Sequence, residues 1–182
     1  MAHERAAPNG ETATAAPPHD PAGAGAGGVD ARRLRDALGR YATGVAIVTA
    51  RAGDGRPVGM TVNSFAAVSL APPLVLWSAQ RGVPPYDAFA VADHYAVHVL
   101  HAGQQALSDR FATPGIDRFA ELAPLDGLAG LPLLADYAAR FQCAVEHRYD
   151  GGDHLILVGR VLAVDARPGE PLVYHAGRYH RL

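Results

Sequence analysis

A chain of 182 residues has the length of one domain and can bury a substantial core. Its 49% hydrophobic and 19% charged residues exclude a wholly disordered protein, and a formal net charge of −2 leaves no electrostatic footprint for nucleic acid or an anionic membrane surface. The single cysteine, Cys143, excludes an internal disulfide and a multi-cysteine zinc or iron–sulfur site, which fits a reducing, cytoplasmic location.

Residues 1–29 are dominated by Ala, Gly and Pro and hold almost no large apolar side chain. They cannot bury enough surface to offset their ordering entropy, so they are expected to form a disordered tail before a domain over 30–182. No basic-then-apolar pattern of a secretory signal occurs there, and no apolar run reaches the ~20 residues that cross a bilayer. Asp30 is a candidate N-cap for an amphipathic helix over 31–41, with Leu34, Ala37, Leu38 and Tyr41 on one face. Val45 to Thr49, the turn Gly53-Asp54-Gly55 and Pro57 to Thr61 read as a hairpin.

That hairpin leads into the stretch Gly59 to Trp77. Thr61, Asn63 and Ser64 place short polar side chains between apolar runs, the composition of a ledge that faces a flat polar ligand. Pro72-Pro73 must end or bend the strand before it, and Leu74 to Trp77 begins a new buried run. A loop over 78–83 follows, then a short helix opened by Pro84-Pro85 and carrying Tyr86 and Phe89.

His94 to Leu100 alternates as a strand, and 104–112 reads as a short helix with Leu107 and Phe111 on one face. Residues 113–136 lack clear periodicity and are expected to form a long functional or covering loop. Ala139 to Tyr149 and His154 to Asp165, joined by Asp150-Gly151-Gly152-Asp153, are the clearest hairpin; the second strand is built on a run that includes Leu155, Leu157, Leu162 and Val164. Pro171 to His175 gives a last short strand, with Gly177-Arg178-Tyr179 behind it.

Several strands, a few short helices and no regular strand–helix alternation favour a mainly β fold, an antiparallel barrel with short peripheral helices. No Gly-x-Gly-x-x-Gly marks a Rossmann unit, and no Gly-x-Ser-x-Gly marks a serine nucleophile. His94 and His98 share a strand face while His101 points away, a poor arrangement for a metal site. Cys143 reads as a core thiol, and Asp109, Arg110 and Arg118 read as solvated or paired surface charges.

Seven pieces in one order resemble the flavin reductase-like proteins, the small reductase components of two-component flavin-dependent monooxygenases. They are 41–49, 59–65, 68–76, 95–100, Asp117-Arg118-Phe119, Gly152-Asp153-His154 and 171–179, and the resemblance covers about 31–182. It implies an antiparallel Greek-key split barrel that binds FMN or FAD, uses NADH or NADPH, works as a homodimer and supplies reduced flavin to a partner monooxygenase. Met60, Thr61, Val62, Asn63, Ser64 and Ser69 would then border the flavin ring and ribityl chain. The loop holding Ser78, Gln80 and Arg81 would approach the flavin phosphate, with Arg81 supplying charge. Asp153 and His154 would meet the nicotinamide nucleotide, His154 being the residue assigned a catalytic role. Arg178 and Tyr179 would either close over the nicotinamide or pin the C-terminus. The family typically has Asn at the position of His98 and Ser in the loop occupied here by Gln80-Arg81-Gly82.

Hydride transfer between two bound rings needs close stacking more than an acid or base, so a ledge poor in titratable groups suits it. Backbone N–H donors there would stabilise the anionic reduced ring. The other reading is a split-barrel module that binds flavin or another planar cofactor without turnover. His154→Ala separates them, because only a reductase would show a raised KM for NAD(P)H.

Overall fold

The structure, a computed structural model, describes residues 28–182, so the expected tail over 1–29 lies almost wholly outside the described residues. Helix α1 (Ala31–Leu38) starts where Asp30 accepts a hydrogen bond from the Arg33 N–H at 2.7 Å, and it ends at Leu38, one turn short of the expected Tyr41. None of its residues is buried.

A short strand β1 (Thr43–Gly44) leads into β2 (Ala46–Arg51), which hairpins onto β3 (Pro57–Val62). Strands β4 (Ala66–Leu70) and β5 (Pro73–Gln80) form a tight hairpin about Ala71-Pro72; Pro73 opens β5, where a missing N–H is tolerated. Helix α2 (Tyr86–Val91), strand β6 (His94–Val99), a 3₁₀ turn over Ala102–Gln104 and helix α3 (Gln105–Ala112) follow. The expected loop over 113–136 contains a small pair, β7 (Leu125–Asp126) and β8 (Pro132–Leu133). Then come the long hairpin β9 (Ala139–Gly151) and β10 (His154–Ala166), and a final hairpin β11 (Val173–His175) and β12 (Arg178–His180).

Seven strands form one antiparallel sheet in the order β3-β2-β6-β9-β10-β5-β4. Laid flat, its outer strands would stand about 29 Å apart, six spacings of ~4.8 Å. Yet β3 and β4, the two edges, are joined only by Asn63, Ser64 and Phe65, a link that reaches at most about 15 Å. The sheet must therefore curl until its edges approach, which makes it an incompletely closed barrel. The connector that closes it is the middle of the predicted ledge.

Strand β2 is buried on both faces, which is why its sequence is a continuous apolar run. Ala46, Val48 and Ala50 face the barrel interior with Trp77, Phe89 from α2, Tyr95 and Leu157, and Trp77 meets Phe89 edge-on at 4.8 Å between ring centres. Ile47 faces a second cluster with Leu100, Phe111, Phe119, Leu134 and Leu172, which seats α3 and the C-terminal segment outside the barrel. Cys143 is wholly buried, and that burial pushes its thiol up to about 12. Strand β5 runs to Gln80, so Ser78, Ala79 and Gln80 are strand residues and the loop begins only at Arg81. Their pairing with Ile156, Leu155 and His154 of β10 supplies the ladder that extends the strand.

Candidate functional site

The ledge residues divide by strand alternation. Met60 and Val62 point into the barrel core, and the Thr61 hydroxyl donates to the Ser108 carbonyl of α3 at 2.6 Å. Ser64 Oγ accepts the Ser78 N–H at 3.0 Å, a side chain standing in for the missing strand partner where β4 has not yet begun. Only Asn63 is open to solvent. Of the predicted ledge, the side chains of Asn63 and Ser64 reach a cleft, whereas Met60, Thr61 and Val62 serve packing through theirs. Ser69 sits on β4 opposite Leu74, just past a bulge and outside the lining of that cleft.

The cleft measures about 1140 Å³. One wall is the end of α1 and the start of β1, with Arg35, Arg40, Tyr41 and Thr43; the floor is Asn63 to Ala66; the far wall is Tyr174 and the turn Ala176-Gly177. That turn has both residues at positive φ, +50° and +78°, and the Ala176 N–H donates to the Gly39 carbonyl at 2.8 Å, locking the two walls together. Thr43 Oγ1 is buried without a hydrogen-bond partner among the described residues. The lining thus offers neutral amide and hydroxyl groups, three aromatic rings, two guanidinium groups and the Asp36 carboxylate.

A second group forms one corner of the barrel. His154 pairs with Gln80 across β10 and β5, and the Arg81 N–H donates to the Asp153 carbonyl at 2.9 Å. His154 Nδ1 lies 2.7 Å from Asp153 Oδ1, and the imidazole beside it holds the Asp153 carboxyl below its ordinary value. Gly152, at φ +77°, makes the turn between β9 and β10. Ser78 precedes Gln80 by two residues, about 7 Å along β5, so one strand connects this corner to the ledge. The structure therefore brings Gln80, Arg81, Asp153 and His154 together and joins them through Ser78 to Ser64.

Arg81 is turned onto the protein. Its Nε donates to the Gly152 carbonyl at 3.1 Å, Nη1 to the Tyr86 hydroxyl at 2.7 Å, and Nη2 stands 3.4 Å from Asp150. Its charge is already paired and its fork largely used. Tyr179 OH meets Ser108 Oγ at 2.9 Å, so Tyr179 pins the C-terminal hairpin to α3; Arg178 is exposed one residue beyond the cleft turn.

Two further expectations change. Arg118 donates to the carbonyls of Thr113, Gly59 and Pro84, and Arg110 to that of Ala120, so Arg118 braces the 113–122 segment against β3 and Arg110 braces it against α3. Partial burial lowers the Arg118 guanidinium. Asp109 is exposed as expected. His98 is fully buried between Ile47 and Leu134, away from both groups. Sequence reasoning missed Arg35, Arg40, Thr43 and Tyr174 as cleft residues. The Thr43-Gly44 pair before a buried strand was an available signal, but helix arginines carry none.

The family description "Flavin reductase like domain" matches residues 38–182. The chain is 46% identical over 155 residues to FMN reductase (NADH) SmoA of Agrobacterium fabrum, covering 85% of this chain and 88% of that one. It is 41% identical over 148 residues to the reductase component of a flavin-dependent trigonelline monooxygenase of Acinetobacter baylyi, covering 81% of this chain but only 48% of that longer protein. Among solved structures it is similar to the NADH:FAD oxidoreductase SgcE6 of Streptomyces globisporus in complex with NAD and FAD fragments, with a TM-score of 0.78 and 36% identity over 86% of this chain and 97% of that one.

Proposed function

Because the chain belongs to the flavin reductase-like family, we propose that it oxidises NADH, reduces FMN or FAD, and hands the reduced flavin to a partner flavin-dependent monooxygenase. The observation that carries this reading is the 1140 Å³ cleft floored by Asn63 and Ser64, slightly above the usual range for small-molecule pockets and lacking any titratable group on its floor. A flavin fits the donor set: Thr43 Oγ1 wants a partner, Asn63 offers both an amide donor and a carbonyl acceptor, and Tyr41 and Tyr174 offer aromatic walls.

When bound, the flavin supplies the redox chemistry by accepting a hydride from the nicotinamide. The chain's own residues position. Asn63 would hold the flavin through its amide, and Ser64, fixed by Ser78, would form the floor beside it. At the barrel corner Asp153 Oδ1 accepts a hydrogen bond from His154 Nδ1–H, which orients the ring and leaves Nε2 free to meet the nicotinamide carboxamide. Met60, Thr61, Val62 and Ser69 would contribute backbone to the ledge, and the exposed Arg178 would be available to the nicotinamide nucleotide. Gln80 and Arg81 hold the corner in shape more than they supply a phosphate contact.

Among the described residues no helix is long and apolar enough to cross a membrane. A cytoplasmic site of action, where NADH is available, and a homodimer complete the reading. The test is NADH consumption by the purified protein with FMN, FAD or riboflavin, with flavin bleaching followed anaerobically. Saturating, flavin-dependent oxidation is expected, and His154→Ala should raise the KM for NADH roughly tenfold with a smaller change in kcat, the scale of one lost hydrogen bond. No oxidation with any flavin would overturn the reading in favour of a binding module.

A further inference from the structure

Resting on the reading above, we propose that Arg35 and Arg40, on and just after α1, form the phosphate anchor of the cleft, binding the phosphate of a nucleotide whose ring lies on the Asn63–Ser64 floor. Three observations carry this. Arg81, the guanidinium expected to meet the flavin phosphate, is bound to the Gly152 carbonyl and the Tyr86 hydroxyl and faces Asp150, so little of its charge is left for an anion. Arg35 and Arg40 line the same cleft as Asn63 and Ser64 and make no ion pair among the described residues. Asp36 also lines the cleft, leaving one net positive charge on this wall.

A helix C-terminus ordinarily repels anions through its unsatisfied carbonyls. Here most of those carbonyls are taken: Arg35 O accepts from Gly39 N–H at 2.9 Å, Ala37 O from Arg40 N–H at 3.0 Å, Leu38 O from Tyr41 N–H at 3.0 Å and Gly39 O from Ala176 N–H at 2.8 Å. The same bonds fix the backbone of Arg40 against the cleft turn, so its side chain starts from a rigid base. A guanidinium so placed suits bidentate recognition of phosphate oxygens.

The phosphate belongs either to the flavin or to the dinucleotide, and binding measurements distinguish them. Dissociation constants for FMN and riboflavin are read from flavin fluorescence, and that for NADH from its own fluorescence, in the wild type, in Arg35→Gln/Arg40→Gln and in Arg32→Gln/Arg33→Gln, whose positions lie on α1 but outside the cleft lining. The cleft variant should lose about tenfold or more of the FMN-over-riboflavin preference, as expected for lost charge-assisted contacts, while the control variant keeps it. Added salt should weaken FMN binding by the wild type more than riboflavin binding. If the NADH constant alone shifts tenfold, the anchor holds the dinucleotide phosphate. If all three constants stay within twofold of wild type, the proposal is wrong. Wild-type protein that binds these ligands without oxidising NADH would defeat the functional reading while leaving the anchor to be judged by its constants.

Discussion

His98 is a buried side chain with both ring nitrogens in use. Nε2 faces the Leu134 N–H at 3.1 Å and must accept, so the proton sits on Nδ1, which donates to the Ile47 carbonyl at 3.2 Å. One donor and one acceptor are what an Asn amide also offers, so an Asn side chain has the chemistry to serve the same two partners. Burial, with a smaller push from the Arg140 charge, lowers its pKa to about 4 from the ordinary 6.5. Because the unfolded chain binds that proton more readily, the contribution of neutral His98 is complete above about pH 6.5 and is lost as pH falls through about 4. Denaturant unfolding should therefore show about 3 kcal/mol less stability on acidification across that window, and His98→Asn should flatten the slope. An unchanged slope in His98→Asn would contradict this. Gly159 poses a different constraint: a Cβ there would stand 2.2 Å from the Tyr95 hydroxyl and 2.6 Å from its ring Cζ. That hydroxyl is buried without a hydrogen-bond partner among the described residues, and burial pushes its pKa up. Gly159→Ala should cost about 2 kcal/mol, Tyr95→Phe should be neutral or stabilising, and the pair should cost less than their sum in the same unfolding assay. Neither constraint is legible in the sequence, where His98 looks like a member of a histidine cluster and Gly159 like an ordinary strand residue.

The β9–β10 hairpin shows what a sequence can disclose about an element, because a Gly-rich turn between two long apolar runs specifies it locally. The β7–β8 pair shows the opposite. Its strands are two residues each and are held from afar: Arg51 Nη2 reaches Asp126 at 2.8 Å, Arg51 Nε reaches the Gly130 carbonyl at 2.5 Å, and Gln142 Oε1 accepts the Leu128 N–H at 2.7 Å. Long-range side-chain bonds leave no periodic trace, so 113–136 reads as a loop. The C-terminal hairpin is anchored in the same manner, by Leu172 in the outer cluster and by the 2.9 Å contact of Tyr179 OH with Ser108 Oγ. Ser108→Ala and Tyr179→Phe should each destabilise by about 1 kcal/mol and be strongly non-additive together. Because the hairpin turn is one wall of the cleft, hydrogen exchange of the 176–180 amides should quicken in both variants before any global unfolding. Unchanged exchange there would mean that the Ala176–Gly39 bond, the β1–β11 pairing and the outer cluster hold the hairpin without the hydroxyl pair.

At the scale of the molecule, the order of strands and the three-residue link between β3 and β4 require a curled sheet, and the ledge sits where the curl closes. The alternation that revealed the strands could not say which apolar faces end up inside. Leu162 and Val164 read as core along β10, yet they are 49% and 63% exposed. Strand β5 has already ended beside them: its pairing with β10 stops at Arg160 opposite Leu74, so residues 161–166 present an unpaired edge on that side. Leu70, 94% exposed, lies at the adjoining β4–β5 turn. Helix α1 adds Leu34 and Leu38, also exposed. An open strand edge carrying aliphatic side chains favours association, and a second copy of the chain is the cover that fits the proposed homodimer. Light scattering should then give twice the 19.0 kDa chain mass. Leu70→Glu combined with Val164→Glu should shift the protein toward monomer, whereas Ile116→Glu, at an exposed position in the 113–122 segment, should not. A monomeric wild type at assay concentrations would remove the dimer from the account, and the apolar edge would then belong to a contact with a different protein, for which the partner monooxygenase is the first to test.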